Sequence, residues 1–316
     1  MSDGPARSAF RVTRSAFRSP GRRAWQRFQR NRPAMVSLAF LVTALGLILL
    51  APTFSPHDPD ALSEAQFQPP SARHWCGTDI HGRDLLTRLG IGARISLLVG
   101  VVGAGVSLVI GVSWGAVAGY AGGRMDSAMM RFVDILYSLP SIVFVMVLIT
   151  TLEGLLQAGL RNVFGSDLGA SARLLFLFVG LGSVSWLTMA RIVRGQVLSL
   201  KQRPFVEASR ALGASHVRIL WGHILPNAFG VIIVYLSLTV PAVVLYESFL
   251  SYLGLGVQPP MASWGSLIAE GAHQLNPIRI YWWLLVFPAG TLVTTLLALN
   301  FLGDGLRDAL DPRAQP

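Results

Sequence analysis

The sequence predicts an all-α protein: a polytopic membrane helix bundle of six transmembrane helices with both termini cytoplasmic. Three observations carry that expectation. Of the 316 residues, 52% are hydrophobic and only 13% charged, where an ordinary soluble domain carries roughly a quarter. The few charges divide the chain into long uncharged windows. Nine of the 25 arginines crowd into residues 1–33, ahead of the first window, and basic residues are retained on the cytoplasmic side of a membrane. The net charge of +10 therefore reads as a topology signal. A nucleic-acid partner would need its bases spread over a folded surface, so none is expected.

Residues 1–33 form the first element, a cytosolic Arg-rich tail. It repeats RSAFR at 7–11 and 14–18 and holds one acid, Asp3. Arg- and Ser-rich, acid-poor starts also describe mitochondrial transit peptides, but this one runs straight into a span. Its arginines, with Phe10, Phe17, Trp25 and Phe28, suit partial adsorption on anionic membrane lipid.

The spans follow from the windows. A hydrocarbon core of about 30 Å needs roughly 20 apolar helical residues, and a charge at its centre costs about 2.5–3.5 kcal/mol. Charge-free windows run from Pro33 to Asp58, Arg94 to Arg124, Asp134 to Glu153, Arg173 to Arg191, Arg218 to Glu247, Glu247 to Glu270 and Arg279 to Asp304. The sixth of these contains Gly254, Gly256 and Pro259-Pro260, which break a continuous helix. It is expected to be a connecting loop with short helical pieces. Six spans remain, and an even number returns the chain to its starting side. The loops agree: 55–93 has five acids against three bases and reads as external, whereas 191–218 has six bases against Glu207 alone and reads as internal.

Within these elements a few residues invite assignment. Gly111, Gly115 and Gly119 repeat G-x-x-x-G in the second span, a smooth groove that lets another helix approach closely. Gly77 and Gly82 suit turns and Asp84 a helix cap, although the same external stretch also suits a docking surface. Asp134 is expected to favour the start of the third span. Glu247, near the outer end of the fifth, is a candidate for the transport pathway by virtue of being a membrane-embedded acid; a contact with the neighbouring loop or an interfacial anchor fits as well.

The internal patch EASRALGASHVRILWGHILPN, 207–227, interrupts this apolar chain. Pro204 suits a first helical turn, Glu207 complements the helix dipole there, and Arg210 lies within pairing reach. Gly213 can end that helix in a left-handed conformation. Ser215 can cap a second short helix, with Pro226 at its junction with the next span. Two short helices meeting at a glycine make a rigid knuckle that a moving partner can push.

The knuckle resembles the EAA loop of ABC-importer permeases, with Glu207, Ala208, Gly213, Leu225 and Pro226 at the matching positions. Ser209 replaces the third small residue and His223 a common isoleucine; both departures are mild. GTDIHGRDLLTRLGIGARISL (77–97), RFVDILYSLP (131–140), ESFLSYLGLGVQPPMASWG (247–265) and NFLGDGLRDALDP (300–312) resemble the C-type permease subunit of dipeptide/oligopeptide ABC importers. The likeness covers the chain from Asn31 to Pro312. It implies a type I ABC-importer permease fold in a bacterial inner membrane. The implied layout is a tail at 1–33, an N-terminal-extension helix at 34–56, an external segment at 57–93, a permease core at 94–303 with its EAA loop at 203–227, and a cytosolic tail at 304–316. Implied partners are a second homologous permease, two ABC ATPases at the cytosolic face, and an external substrate-binding protein. Glu207 would meet the ATPase, Gly213 set the bend, and Leu225 and Pro226 join the knuckle to the fifth span.

No catalytic residue, cofactor or metal is expected in the chain itself, ATP being used by the partner subunits. A phosphate loop needs a lysine after glycine, and the one lysine, Lys201, lies between Leu200 and Gln202. H-E-x-x-H and G-x-S-x-G are absent, the six histidines show no ligand spacing, and a lone cysteine, Cys76, allows no intrachain disulfide. A membrane-embedded hydrolase lacks its nucleophile–base set here. The main rival, a self-sufficient secondary transporter or channel, usually buries ionisable residues deep in its spans, and these six are nearly free of them.

Overall fold

The computed structural model describes residues 20–54, 61–151 and 169–310. The RSAFR repeat, Phe10, Phe17 and the window ends at Asp58 and Glu153 lie outside them. Among the described residues the fold is all-helical, with one isolated bridge between Thr78 and Asp84.

Helix α1 (Pro20–Arg30) meets α2 (Arg32–Phe54) at a bend of 92°. Asn31 makes the corner, its side-chain oxygen accepting the Ala34 N–H at 3.2 Å as a helix cap does. A compact segment then leads to α3 (Leu85–Ala121), 37 residues long and capped by Asp84, whose carboxylate accepts the Thr87 N–H. At roughly 55 Å, α3 overshoots a hydrocarbon core of about 30 Å. It ends at Gly122 and Gly123, consecutive glycines with φ of +69° and +55°, a reversal that side chains disfavour.

Helix α4 (Gly123–Ser138) follows, then α5 (Ser141–Thr151), bent 92° from it. Here the structure departs from the expected third span. Leu139 precedes Pro140 and is extended, at φ −82° and ψ 138°, because proline crowds the α-conformation of its predecessor. Asp134 is therefore no cap. It lies late in α4, exposed and paired with Arg191 at 2.7 Å.

Helix α6 (Gly169–Leu200) leads into α7 (Pro204–Ala211) and α8 (His216–Ile219). A π-turn at Leu220–Ile224 then joins α8 to α9 (Leu225–Tyr252). The window after Glu247 is a loop followed by α10 (Trp264–His273), and α11 (Trp283–Leu310) closes the chain. Among the described residues three continuous helices are long and apolar enough to cross a membrane: α3, the joined α8–α9, and α11; the count is five if each bent pair is one span. That is fewer than the six expected.

Helix α3 runs through the centre, packed on α6, α9 and α10. Val99 of α3, Leu181 of α6 and Val243 and Leu250 of α9 form one buried cluster. The chain direction sets two ends. Trp283, opening α11, donates its indole N–H to the Thr78 carbonyl, so the segment before α3, α10 and the start of α11 share one end. The knuckle of α7 and α8, and the close of α11, stand at the other.

Candidate functional site

The knuckle is built locally. Arg203 is extended and Pro204 occupies the first turn of α7. The helix closes with Gly213 at φ +79°. The Gly213 N–H donates to the Arg210 carbonyl at 2.9 Å and the Ala214 N–H to the Ser209 carbonyl at 3.1 Å, the paired bonds of a left-handed helix stop. Ser215 caps α8, accepting the Arg218 N–H. Among the described residues no ion pair joins Glu207 to Arg210; both are exposed, as is Ala208, while Ser209 is half-buried.

Pro226 does not break the chain where α9 begins. A proline has no N–H and its ring clashes with the carbonyl four residues back. The preceding turn widens instead, the Leu225 N–H reaching the Leu220 carbonyl, five residues away. The helix thus runs unbroken from His216 to Tyr252, and Pro226 marks a junction that does not interrupt it.

Beneath the knuckle lies an apolar footing. Val206, Ile219, Ile224 and Leu225 are buried with Ala116 of α3 and Met189, Val193 and Val197 of α6. Polar ties surround it: Lys201 donates to the Gly119 carbonyl at 2.8 Å, Tyr120 bonds His216 at 2.8 Å, and Arg194 pairs with Asp126 of α4 through two bonds. Outward, Leu212, Val217 and Trp221 are 87%, 69% and 55% exposed. The knuckle is anchored on one side and offers apolar tips on the other.

Gly111, Gly115 and Gly119 face α6 next to this footing. A Cβ on Gly111 would stand 2.6 Å from the Met189 side chain, one on Gly115 would meet the Ala190 carbonyl, and one on Gly119 would come within 2.9 Å of the Arg194 carbonyl. The two backbones touch there because no side chain intervenes.

Glu247 is elsewhere, 22 residues or about 33 Å of helix beyond Leu225. It is completely buried. Ser96 of α3 donates to one carboxylate oxygen at 2.8 Å and Ser251 to the other at 2.6 Å. Those hydroxyls in turn accept the Trp264 and Val257 backbone N–H groups. The carboxylate therefore pins the loop before α10 to α3.

The same end holds a charged knot. Asp79, 3% exposed, accepts the His81 and Arg83 N–H groups and both the Arg83 and Arg88 guanidiniums. Arg88 also grips Glu270 of α10 through both of its terminal nitrogens. Gly77 and Gly82 make the expected turns, at φ +79° and +73°. Cys76 is buried here, and burial, with the Asp84 charge second, pushes its thiol up to about 11. No group of three or more His, Cys, Asp or Glu suited to a metal occurs among the described residues.

Sequence reasoning found the knuckle and the glycine seam but missed Ser96, Arg88 and Glu270 as partners. Only the spacing of Asp79 to Arg83, or of Glu247 to Ser251, four apart, hinted at such bonds. The Arg88–Glu270 pair spans 182 residues and leaves no local signal.

Comparison with known proteins fits this geometry. The family described as binding-protein-dependent transport system inner membrane component matches residues 111–316, about two thirds of the chain. The chain belongs to this family. A second family, the N-terminal TM domain of oligopeptide transport permease C, matches residues 19–70 of the permease. It is 46% identical over 300 residues to the oligopeptide transport system permease protein OppC of Haemophilus influenzae, covering 93% of this chain and 90% of that one. It is 47% identical to OppC of Escherichia coli K12, over 93% and 92%, and 45% identical to the dipeptide transport system permease protein DppC of Bacillus subtilis, over 92% and 85%. Among solved structures, the inward-facing MetNI methionine ABC transporter superposes with a TM-score of 0.53 at 22% identity, over 72% of this chain and 98% of that one. The fold is therefore that of the MetNI permease, and the chain is an inner-membrane component of a binding-protein-dependent transport system.

Proposed function

We propose that the permease forms half of the translocation pathway of an importer for peptides or related small solutes, and that its knuckle couples the pathway to a separate ATPase. Peptides are the cargo because relatives 45–47% identical over more than nine tenths of the chain are oligopeptide and dipeptide permeases. A second, homologous permease supplies the other half of the wall. Two ATPases sit at the knuckles, and an external binding protein delivers cargo.

Six crossings by α2, α3, α4–α5, α6, α9 and α11 put both termini and the knuckle in the cytoplasm, the side favoured by the arginines of 1–33 and 191–218. The 1–33, 34–56, 57–93, 94–303 and 304–316 divisions follow from that count. One observation carries the coupling role: a stiff elbow whose inner face is buried on α3 and α6 while Leu212, Val217 and Trp221 stand exposed. In this arrangement Glu207, Ala208, Ser209 and Arg210 meet the ATPase, Gly213 sets the angle, and Leu225 and Pro226 carry displacement into α9. ATP binding closes the ATPases and biases a two-state change of access.

The test is crosslinking. In a Cys76→Ser background, cysteines at Leu212 or Val217 in the assembled importer should crosslink to the ATPase and resist impermeant labelling from outside intact cells. Labelling from outside, or crosslinks that never reach an ATPase, would overturn the assignment. Uptake by this chain alone in liposomes, without nucleotide, would favour a secondary carrier instead.

A further inference from the structure

We propose that α1 is an interfacial helix that binds anionic phospholipid headgroups and so fixes the closing turns of α11 to the membrane surface. The carrying observation is the right angle between α1 and α2. Helix α2 has no charge after Arg32 and lies within the segment matched by a transmembrane-domain family. With α2 across the bilayer, α1 lies in its plane.

The two faces of α1 suit that position. At 100° per residue, Gly21, Ala24, Trp25 and Phe28 fall on one side, and Arg22, Arg23, Gln26, Arg27, Gln29 and Arg30 on the other. Phe28 is 4% exposed, packed with Ala34 and Ala309. Trp25 stacks on it with ring centroids 5.7 Å apart and stays 51% exposed. A half-covered indole beside the start of a span belongs at the boundary of headgroups and acyl chains.

Charge selects the occupant. Residues 20–32 hold five arginines and no acid; Arg22, Arg30 and Arg32 are exposed. Acids of the neighbouring α11, Asp304 and Asp308, are offset in part by Arg307, and Asp308 accepts a bond from Asn31 at 3.2 Å. Residues 20–32 and 304–308 together hold six arginines against two acids. Arginine stems can lie along apolar surface while their heads reach phosphate. The site is not an isolated tail, because Phe28 also faces Gly305, where an added Cβ would come within 3.2 Å of its ring. Lipid bound to α1 thereby holds α11.

The experiment uses the assembled importer, extracted in mild detergent from vesicles of phosphatidylcholine mixed with phosphatidylglycerol, with bound lipid quantified. The native protein should retain phosphatidylglycerol over phosphatidylcholine. Changing Arg22, Arg30 and Arg32 to Gln should reduce that enrichment by roughly fivefold per arginine at low salt, whereas the three-lysine variant keeps it. Screening in about 0.5 M salt should lower it too. Chain-brominated lipid should quench a fluorescence component that Trp25→Phe removes. Equal enrichment in the native and glutamine proteins would overturn the proposal, as would quenching unchanged by Trp25→Phe. Loss of the ATPase in the glutamine variant with lipid retention intact would instead make α1 a protein contact. These readouts require no transport, so they stand apart from the cargo and coupling assignments.

Discussion

Replacing Gly213 isolates the knuckle's angle from everything else about it. The residue holds φ +79°, and an added Cβ would meet nothing within 4 Å. No clash therefore obscures the result, and the cost is that of the backbone alone. For a residue with L-chirality the left-handed region costs about 1–2 kcal/mol, and a β-branched side chain is a genuine outlier there. Gly213→Val should shift the balance away from the present bend by roughly five- to thirtyfold. Gly213→Asn, which tolerates this conformation better, should be much milder. Because the inner faces of α7 and α8 remain apolar and buried, insertion and folding should survive. The assay is the ratio of cargo taken up to ATP hydrolysed in the reconstituted importer. That ratio should fall in the order Gly, Asn, Ala, Val. If Gly213→Val transports with the native ratio, the angle is not what couples the knuckle, and the hinge role is refuted.

Three further perturbations probe the framework. Gly115→Leu drives a side chain into the Ala190 carbonyl and should destabilise the α3–α6 pair by about 1–3 kcal/mol, visible as a lower melting temperature in detergent. Gly105→Leu, on the same helix with open space beside it, should leave that temperature unchanged. The Cys76 thiol, raised to about 11, is about 0.1% thiolate at pH 8 and only the thiolate reacts; maleimide labelling should be slow at neutral pH, rise about tenfold per pH unit below that value, and become fast on denaturation. Glu247→Ala removes the acceptor of three buried serine hydroxyls and opens a cavity, so it should cost about 2–4 kcal/mol and speed hydrogen exchange at the Val257 and Trp264 amides, whereas Glu247→Gln should cost about 1 kcal/mol.

The parts legible in the sequence are those whose cause is local. Pro204, Gly213 and Ser215 specify the start of α7, its left-handed stop and the cap of α8 within a dozen residues. Gly254, Gly256 and the two prolines at 259–260 likewise announced the loop before α10. Uncharged windows located helices but not their ends. Helix α3 begins at Leu85, ahead of Arg88 and Arg94, because Arg88 is neutralised by Asp79 and Glu270, a pairing no window can register. Helix α4 carries Arg124, Asp126, Arg131 and Asp134 through what was read as a boundary, tolerating them by pairing Asp126 with Arg194 and Asp134 with Arg191. The break at Leu139–Pro140 was visible in principle. Its proline sat inside a window long enough to suggest one continuous span, and length prevailed over backbone chemistry.

Both ends of the bundle combine apolar packing with polar bonds, but they hold α9 differently, and that difference bears on how a push on the knuckle would spread. Opposite the knuckle, buried polar bonds with fixed geometry are added to the apolar packing: the Asp79–Arg88–Glu270 knot and the Glu247 relay tie α3, α9 and α10 together. Each depends on direction and distance, so displacement breaks it outright. At the knuckle, the one side-chain bond described from α8 is the exposed Tyr120–His216 contact, and α7 and α8 otherwise stand on side chains such as Val193, Val197, Ile219 and Ile224, whose dispersion and burial energies vary smoothly with small shifts. Helices fixed by directional bonds at one end and seated on apolar contacts at the other will pivot about the bonded end. A push on Leu212 or Val217 should therefore move the knuckle end of α9 more than the end bearing Glu247. Spin labels along α9 would read this as a distance change across nucleotide states that shrinks from Phe229 toward Tyr252, and a uniform change along the helix would exclude the pivot.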